Sequence, residues 1–135
     1  MHLTTLILTA SISVPPPGNP YNEAGRLLLD SIRRVESGSV LHPECATGDR
    51  GASIGPYQIK RCCWSDAIAY DPSIGGTYAD CRNAEYAERI VIAYWSRYAP
   101  DWRPETLARI WNGGPRGYRN YKTVNYWHRV QAAMR

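Results

Sequence analysis

The 135-residue sequence predicts an α+β, mainly helical domain with a small β-hairpin region beside its first helix. Three observations carry this. Apolar residues recur at helical spacing over several segments. Asn, Pro and Gly stand where those segments begin and end. One stretch, Asp49 to Lys60 (DRGASIGPYQIK), lacks the helical period and reads as a glycine-bearing turn followed by a short hairpin.

The elements follow in order. Leu3 to Val14 (LTTLILTASISV) is apolar but too short to span a bilayer, and is read as the h-region of a secretory signal over residues 1–14. A buried N-terminal strand is the alternative. Residues 15–21, rich in Pro, form a linker, and residues 22–135 form the domain. Asn22 to Ser37 has Ala24, Leu27, Leu28, Ile32 and Val35 on one helical face, with Gly38 as its stop. Cys62 to Tyr70 is a short helix ending at Asp71-Pro72, and Ser73 to Ala79 is a loop. Asn83 to Ala99 is the strongest helix: Asn83 caps it, and Ala87, Ile90, Val91, Tyr94, Trp95 and Tyr98 share a face. Pro104 to Trp111 is a helix with Pro in its first turn, halted by Asn112-Gly113-Gly114-Pro115. Val124 to Met134 is the last helix.

Composition narrows the class. With 44% hydrophobic and 21% charged residues the chain is an ordinary globular domain, not a disordered tail, a collagen or a coiled coil. Phe is absent while Tyr (10) and Trp (5) are abundant, and aromatics with a polar handle suit half-buried surfaces and grooves. The net charge of +4 suits an anionic partner such as a cell wall. Arg116, Arg119, Lys122, Arg129 and Arg135 gather near the C-terminus, without a nucleic-acid motif beside them. Four Cys (45, 62, 63 and 81) beside a signal-like stretch favour disulfides, with Cys45 and Cys81 each bonding one of the adjacent pair Cys62 and Cys63. Four buried free thiols are the alternative. His2, His42 and His128 are widely separated, and no metal or cofactor is expected.

Two acids stand out. Glu36 lies on the last turn of the first helix, four residues after Ile32. A carboxyl there sits at the rim of the core, and a helix C-terminus is an unfavourable place for a charge that is merely solvated. A general acid at neutral pH needs such a partly desolvated position. Asp49 follows thirteen residues later, in a turn that leads back across that helix. Glycosidases use two carboxyls, about 5–5.5 Å apart for retention and about 6.5–9.5 Å for inversion. A plain turn at Asp49-Arg50-Gly51 is the alternative.

The motifs then converge. Glu36-Ser37-Gly38, Gly48 to Lys60, Trp64-Ser65-Asp66, Asn112 to Gly117 and Tyr126-Trp127, in that order, resemble the invertebrate-type lysozymes, also called the destabilase family. The resemblance runs from about Leu27 to about Val130. It implies a lysozyme-like fold that cleaves the β-1,4 bond between N-acetylmuramic acid and N-acetylglucosamine in peptidoglycan. It places the general acid on Glu36, in the family's E-S-G, and the second carboxylate on Asp49, in its D-x-G. Around them, Ser53 is expected to hydrogen-bond Asp49. Tyr57 is expected to pack on a sugar face, with core packing as the equal alternative. Gln58 would hold an acetamido group. Asn112 and Gly113 would let backbone approach the sugar, unless the glycines merely stop the helix. The chain departs from the family pattern at Ile54 (usually Cys) and at Trp111 (often His). Lys60 matches the residue tied to a second, isopeptidase activity of some members, but the accompanying Ser position reads Ala52. Similar motifs occur in lytic transglycosylases and goose-type lysozymes, which rely on one Glu. A glycan-binding module without catalysis is the third reading.

Overall fold

A computed structural model describes residues 22–38, 47–48 and 53–135. Helix α1, Glu23–Ser37, begins at Asn22, whose Oδ1 accepts the Gly25 N–H at 2.7 Å. Such a cap contributes about 1 kcal/mol. Gly25, Leu28, Leu29 and Ile32 face inward, whereas Ala24 is exposed and Leu27 is 39% exposed. The predicted stripe is therefore rotated by about one residue. Leu27, Leu28 and Leu29 span roughly 200° of a helix, so no single face can bury all three. Gly25 is buried on the same side as Leu28, Leu29 and Ile32. The shift carries Glu36, four residues beyond Ile32, onto the inward face.

Three two-residue strands follow, β1 (Thr47–Gly48), β2 (Ser53–Ile54) and β3 (Ile59–Lys60), in an antiparallel sheet of order β1-β2-β3. Ser53 pairs with Gly48 on one side and Lys60 on the other. The β2–β3 turn starts at Gly55, whose φ of 76° suits a residue without a side chain. A Cβ there would lie 2.1 Å from the Cys81 carbonyl oxygen, so the turn also depends on a close backbone approach. Ile54, Tyr57 and Ile59 enter the core.

Helix α2, Arg61–Tyr70, continues directly from β3. The segment read as a loop, Ser73 to Ala79, is overlapped at its two ends by short 3-10 turns, Pro72–Ile74 and Tyr78–Arg82. Helical periodicity cannot detect single turns of this kind. The second is a Thr77/Asp80 capping box, and its Tyr78 hydroxyl donates to the Ile59 carbonyl at 2.6 Å. Helix α3, Ala84–Tyr98, is capped by Asn83 as expected and buries Ala87, Ile90, Val91, Tyr94 and Trp95. Trp95 is fully buried, and its indole N–H donates to the Leu107 carbonyl at 3.0 Å. That bond ties α3 to α4, Pro104–Gly113, which runs two residues past the expected end. Two more 3-10 turns, Gly117–Arg119 and Tyr121–Thr123, lead into α5, Val124–Ala133, which packs along α1.

A polar clamp joins three of these parts. Both guanidinium NH groups of Arg26 on α1 donate to Glu88 on α3, at 3.1 and 2.7 Å. The Tyr57 hydroxyl donates to the same carboxylate at 2.8 Å. Tyr57 has no exposed surface. The sugar-stacking role expected for it is therefore corrected: its ring belongs to the core and its hydroxyl to the clamp. The expected disulfides are also absent among the described residues. Cys62, Cys63 and Cys81 carry free thiols, and Cys81 is fully buried among apolar side chains. Cys45 lies outside the described residues, as do the signal-like stretch and the linker. Within the described residues, no helix is long and apolar enough to cross a membrane.

Substituting Gly55→Ala should destabilise the protein by about 3 kcal/mol, since it combines overpacking with a left-handed backbone. Urea denaturation checks this. A midpoint equal to that of the parent would show that the turn relaxes away from Cys81.

Candidate active site

The last turn of α1 brings Glu36 into a cleft of about 600 Å³. The hairpin supplies one wall through Ser53, Gln58 and Lys60. The first turn of α2 adds Cys62 and Cys63, α3 adds Tyr94, and the end of α4 adds Trp111, Asn112, Gly113 and Gly114. Five residues singled out from the sequence (Glu36, Ser53, Gln58, Asn112 and Gly113) thus line one space. Asp49 lies outside the described residues, and so does its expected bond to Ser53.

Glu36 is half-buried and held. Tyr126 on α5 is 3% exposed, and its hydroxyl donates to Glu36 Oε1 at 2.7 Å. Burial, the Glu36 charge and this hydrogen bond push the Tyr126 phenol well above its usual range, against a smaller opposing effect of Arg129. The phenol therefore stays protonated and remains a donor at ordinary pH. Periodicity gives Tyr126 no role beyond its motif, because its partner is 90 residues away.

Gln58 adopts φ 49°, and it is the one non-glycine residue with positive φ among those described. Its side-chain Nε2 donates to the Gly55 carbonyl at 2.8 Å, which stabilises the turn against the steric cost of that conformation. Strain of this kind, of order 1–3 kcal/mol, tends to collect at functional sites. Ser53 is buried, at 2% exposure, and its strand register places it directly across from Lys60. Gly113 is exposed at the cleft, but a Cβ there would come 2.5 Å from the Thr123 methyl. Glycine at this position therefore serves packing against the Tyr121–Thr123 turn as well as the cleft.

An aromatic wall completes the site. Trp111 meets Tyr94 edge to face, with ring centroids 5.9 Å apart, and Tyr94 meets Tyr98 at 4.9 Å. The Tyr98 hydroxyl donates to Asp66 at 2.6 Å. These contacts hold the half-buried indole in place. The signal for it in the sequence is the neighbour relation of Trp111 to Asn112-Gly113. The arrangement can do one thing that a solvated acid cannot: hold a carboxyl in place in a cleft between a hairpin and an indole.

Mostly helical, with a three-stranded hairpin region flanking a glutamate-bearing cleft, the molecule has the architecture of a lysozyme. Solved structures agree. Against Tapes japonica lysozyme the TM-score is 0.67 at 29% identity, over 78% of this chain and 87% of that one. Against Meretrix lusoria lysozyme, crystallised in complex with Aeromonas hydrophila PliI, it is 0.68 at 33% identity, over 79% and 88%. Lysozyme 1 of Crassostrea virginica is 45% identical over 110 residues, covering 77% of this chain but only 56% of that protein. Lysozyme of Meretrix lusoria is 33% identical over 109 residues, covering 76% and 84%. The Destabilase family profile matches residues 27–133, and the chain belongs to this family.

The free thiols offer a check on the cleft. Burial pushes the Cys81 thiol up to about 12, with Asp80 adding to it, which keeps it in the unreactive thiol form at pH 8. Cys62 is exposed on the cleft wall. Iodoacetamide at pH 8 should therefore alkylate Cys62 in the native protein and Cys81 only after denaturation, as read by peptide mapping. Equal labelling of the two would contradict this placement.

Proposed function

We propose that the protein is a muramidase that hydrolyses the β-1,4 bond between N-acetylmuramic acid and N-acetylglucosamine in bacterial peptidoglycan. The observation that carries the reading is Glu36, half-buried in a cleft of about 600 Å³ and anchored by Tyr126. Membership in a family with lysozyme relatives supports it. In this reading Glu36, as the protonated acid, gives its proton to the glycosidic oxygen as the bond from that oxygen to the anomeric carbon breaks. Asp49 attacks the anomeric carbon or stabilises its positive charge. β1 ends at Gly48, paired with the cleft residue Ser53, and Asp49 is the next residue in the sequence. Water, losing a proton to Glu36, then adds to the anomeric carbon, displacing the Asp49 carboxylate where the two had bonded, and leaves a reducing end. This is the two-carboxylate scheme whose general template is itself a lysozyme.

Other residues have supporting parts. Gln58, Asn112 and Gly113 would contact the glycan from the two walls, and Ser53, buried in the hairpin wall, would act through Asp49. The indole of Trp111 would take an apolar sugar face. Arg116, Arg119, Lys122, Arg129 and Arg135 are all exposed, and would draw the enzyme toward anionic walls. A substrate outside the producing cell implies export, for which Leu3 to Val14 would act as the signal core.

The test is digestion of purified peptidoglycan, with fragment ends read by mass spectrometry. The parent should release fragments with reducing-end muramic acid. Glu36→Gln and Asp49→Asn should each lose activity by at least about a hundredfold. Anhydro ends, or activity that survives Asp49→Asn, would move the mechanism to a single-glutamate enzyme. No fragments from folded parent protein would overturn the reading.

A further inference from the structure

Tyr126 belongs to the last helix, yet it reaches the carboxyl on the last turn of the first. It is nearly fully buried, so the contact is not a chance surface meeting. A second tie runs alongside it: Arg34, two residues before Glu36, donates to the Ala133 carbonyl at the end of α5 at 3.1 Å. The two helices are therefore bonded to each other at two points, one of them the carboxyl itself. Arg129 sits over the Tyr126 ring, 5.5 Å from its centre. The other titratable or charged groups lining the cleft, among the described residues, are Lys60 from β3, Cys62 and Cys63 from α2, and Tyr94 from α3.

We propose that Tyr126 is the positioning residue for the general acid, selecting which oxygen of Glu36 carries the transferable proton. The inference rests on the muramidase reading above. Its logic is that of donors and acceptors. A phenol that donates to Oε1 makes that oxygen an acceptor in both protonation states. The acidic proton of Glu36 is then carried on Oε2. One oxygen is fixed by the protein, so the carboxyl cannot rotate to exchange the two. A general acid must hold its proton in line with the leaving oxygen, and small errors of orientation are costly in rate. No role in contacting the glycan is assigned to Tyr126, because it has almost no exposed surface.

Removing the hydroxyl has two separable consequences. The carboxyl loses its fixed orientation, which lowers the chemical rate. It also loses a donor that favours its ionised form, so Glu36 keeps its proton to higher pH. A residue that only fills space would produce neither effect with the ring retained.

The experiment compares the parent with Tyr126→Phe on a soluble, fluorescently tagged peptidoglycan fragment, across pH. The expected result is a fall in kcat of roughly tenfold, a fraction of what a positioned acid contributes. KM should stay within about twofold, and the alkaline limb of the kcat profile should move up by roughly half to one pH unit. An unchanged kcat and limb would overturn the proposal, and so would a rise in KM alone. If Tyr126→Phe does not fold, the parent and Glu36→Gln provide the test from the other side. The Tyr126 ring carbon beside the hydroxyl, followed by carbon-13 NMR, should show a step as Glu36 titrates, and Glu36→Gln should abolish it. A parent without that step overturns the proposal. Failure of the muramidase reading looks different: the parent itself is then inactive, or Glu36→Gln is as active as the parent.

Discussion

The burial of Leu28, Leu29 and Ile32 along one side of α1 sets the rotation of that helix, and the rotation decides where Glu36 points. A helix turned by one residue would move its side chains by about 100°. Glu36 would then face solvent, and Tyr126 would have no partner. The apolar stripe thus supplies the orientation as well as the stability of the site. Burying those three aliphatic side chains contributes about 1.5–3 kcal/mol each, together well above the single hydrogen bond they position. The strong, non-directional interaction places the helix, and the weak, directional one places the carboxyl.

The opposite wall is positioned by a different mix of forces. The hairpin is too short to hold its own geometry, with two residues in each strand. It is pinned from outside. Gly55 lies against the Cys81 carbonyl, the Ile59 carbonyl is bonded by Tyr78, and Tyr57 reaches the Arg26–Glu88 pair. The Glu88 carboxylate accepts from α1 and from the hairpin while belonging to α3. It is the point at which both sides of the cleft are measured against the same helix. Arg26 is partly exposed, at 47%, so solvent screens the charge attraction and the value of the pair lies mainly in geometry.

Much of this is legible in the sequence. Asn22 and Asn83 cap the helices that their positions predict, because N-caps depend on local chemistry alone. Pro104 and Gly114 bound α4 for the same reason. Glu36 stands out by its place on a helix, and it lies in the cleft. What the sequence hides depends on contacts between distant segments. The choice among Leu27, Leu28 and Leu29 is made by what packs on α1. Tyr57 sits between cleft and core in the sequence pattern, and only the position of Glu88 draws it inward. Tyr126 and Glu36 belong to opposite ends of the chain. The 3-10 turns are shorter than any period that could reveal them. Asp49 lies beyond the described residues, so its role is argued from sequence and from the β1 register that precedes it.

The position of Glu36 at a helix C-terminus then acquires a physical sense. Carbonyl dipoles at that end disfavour negative charge, and partial burial disfavours it further. Both influences favour the neutral acid over the carboxylate. A phenol donor works in the other direction, because a hydrogen bond to a carboxylate is stronger than one to the neutral acid. In the muramidase reading, an acid that releases a proton in one step and accepts one in the next is served by both influences together. The first pair follows from where α1 stops, at Ser37-Gly38. The balancing group has to arrive from elsewhere, and α5 delivers it. A helix remote from α1 in sequence thus packs along it in a register that sets a phenol against the carboxyl as well as filling the core.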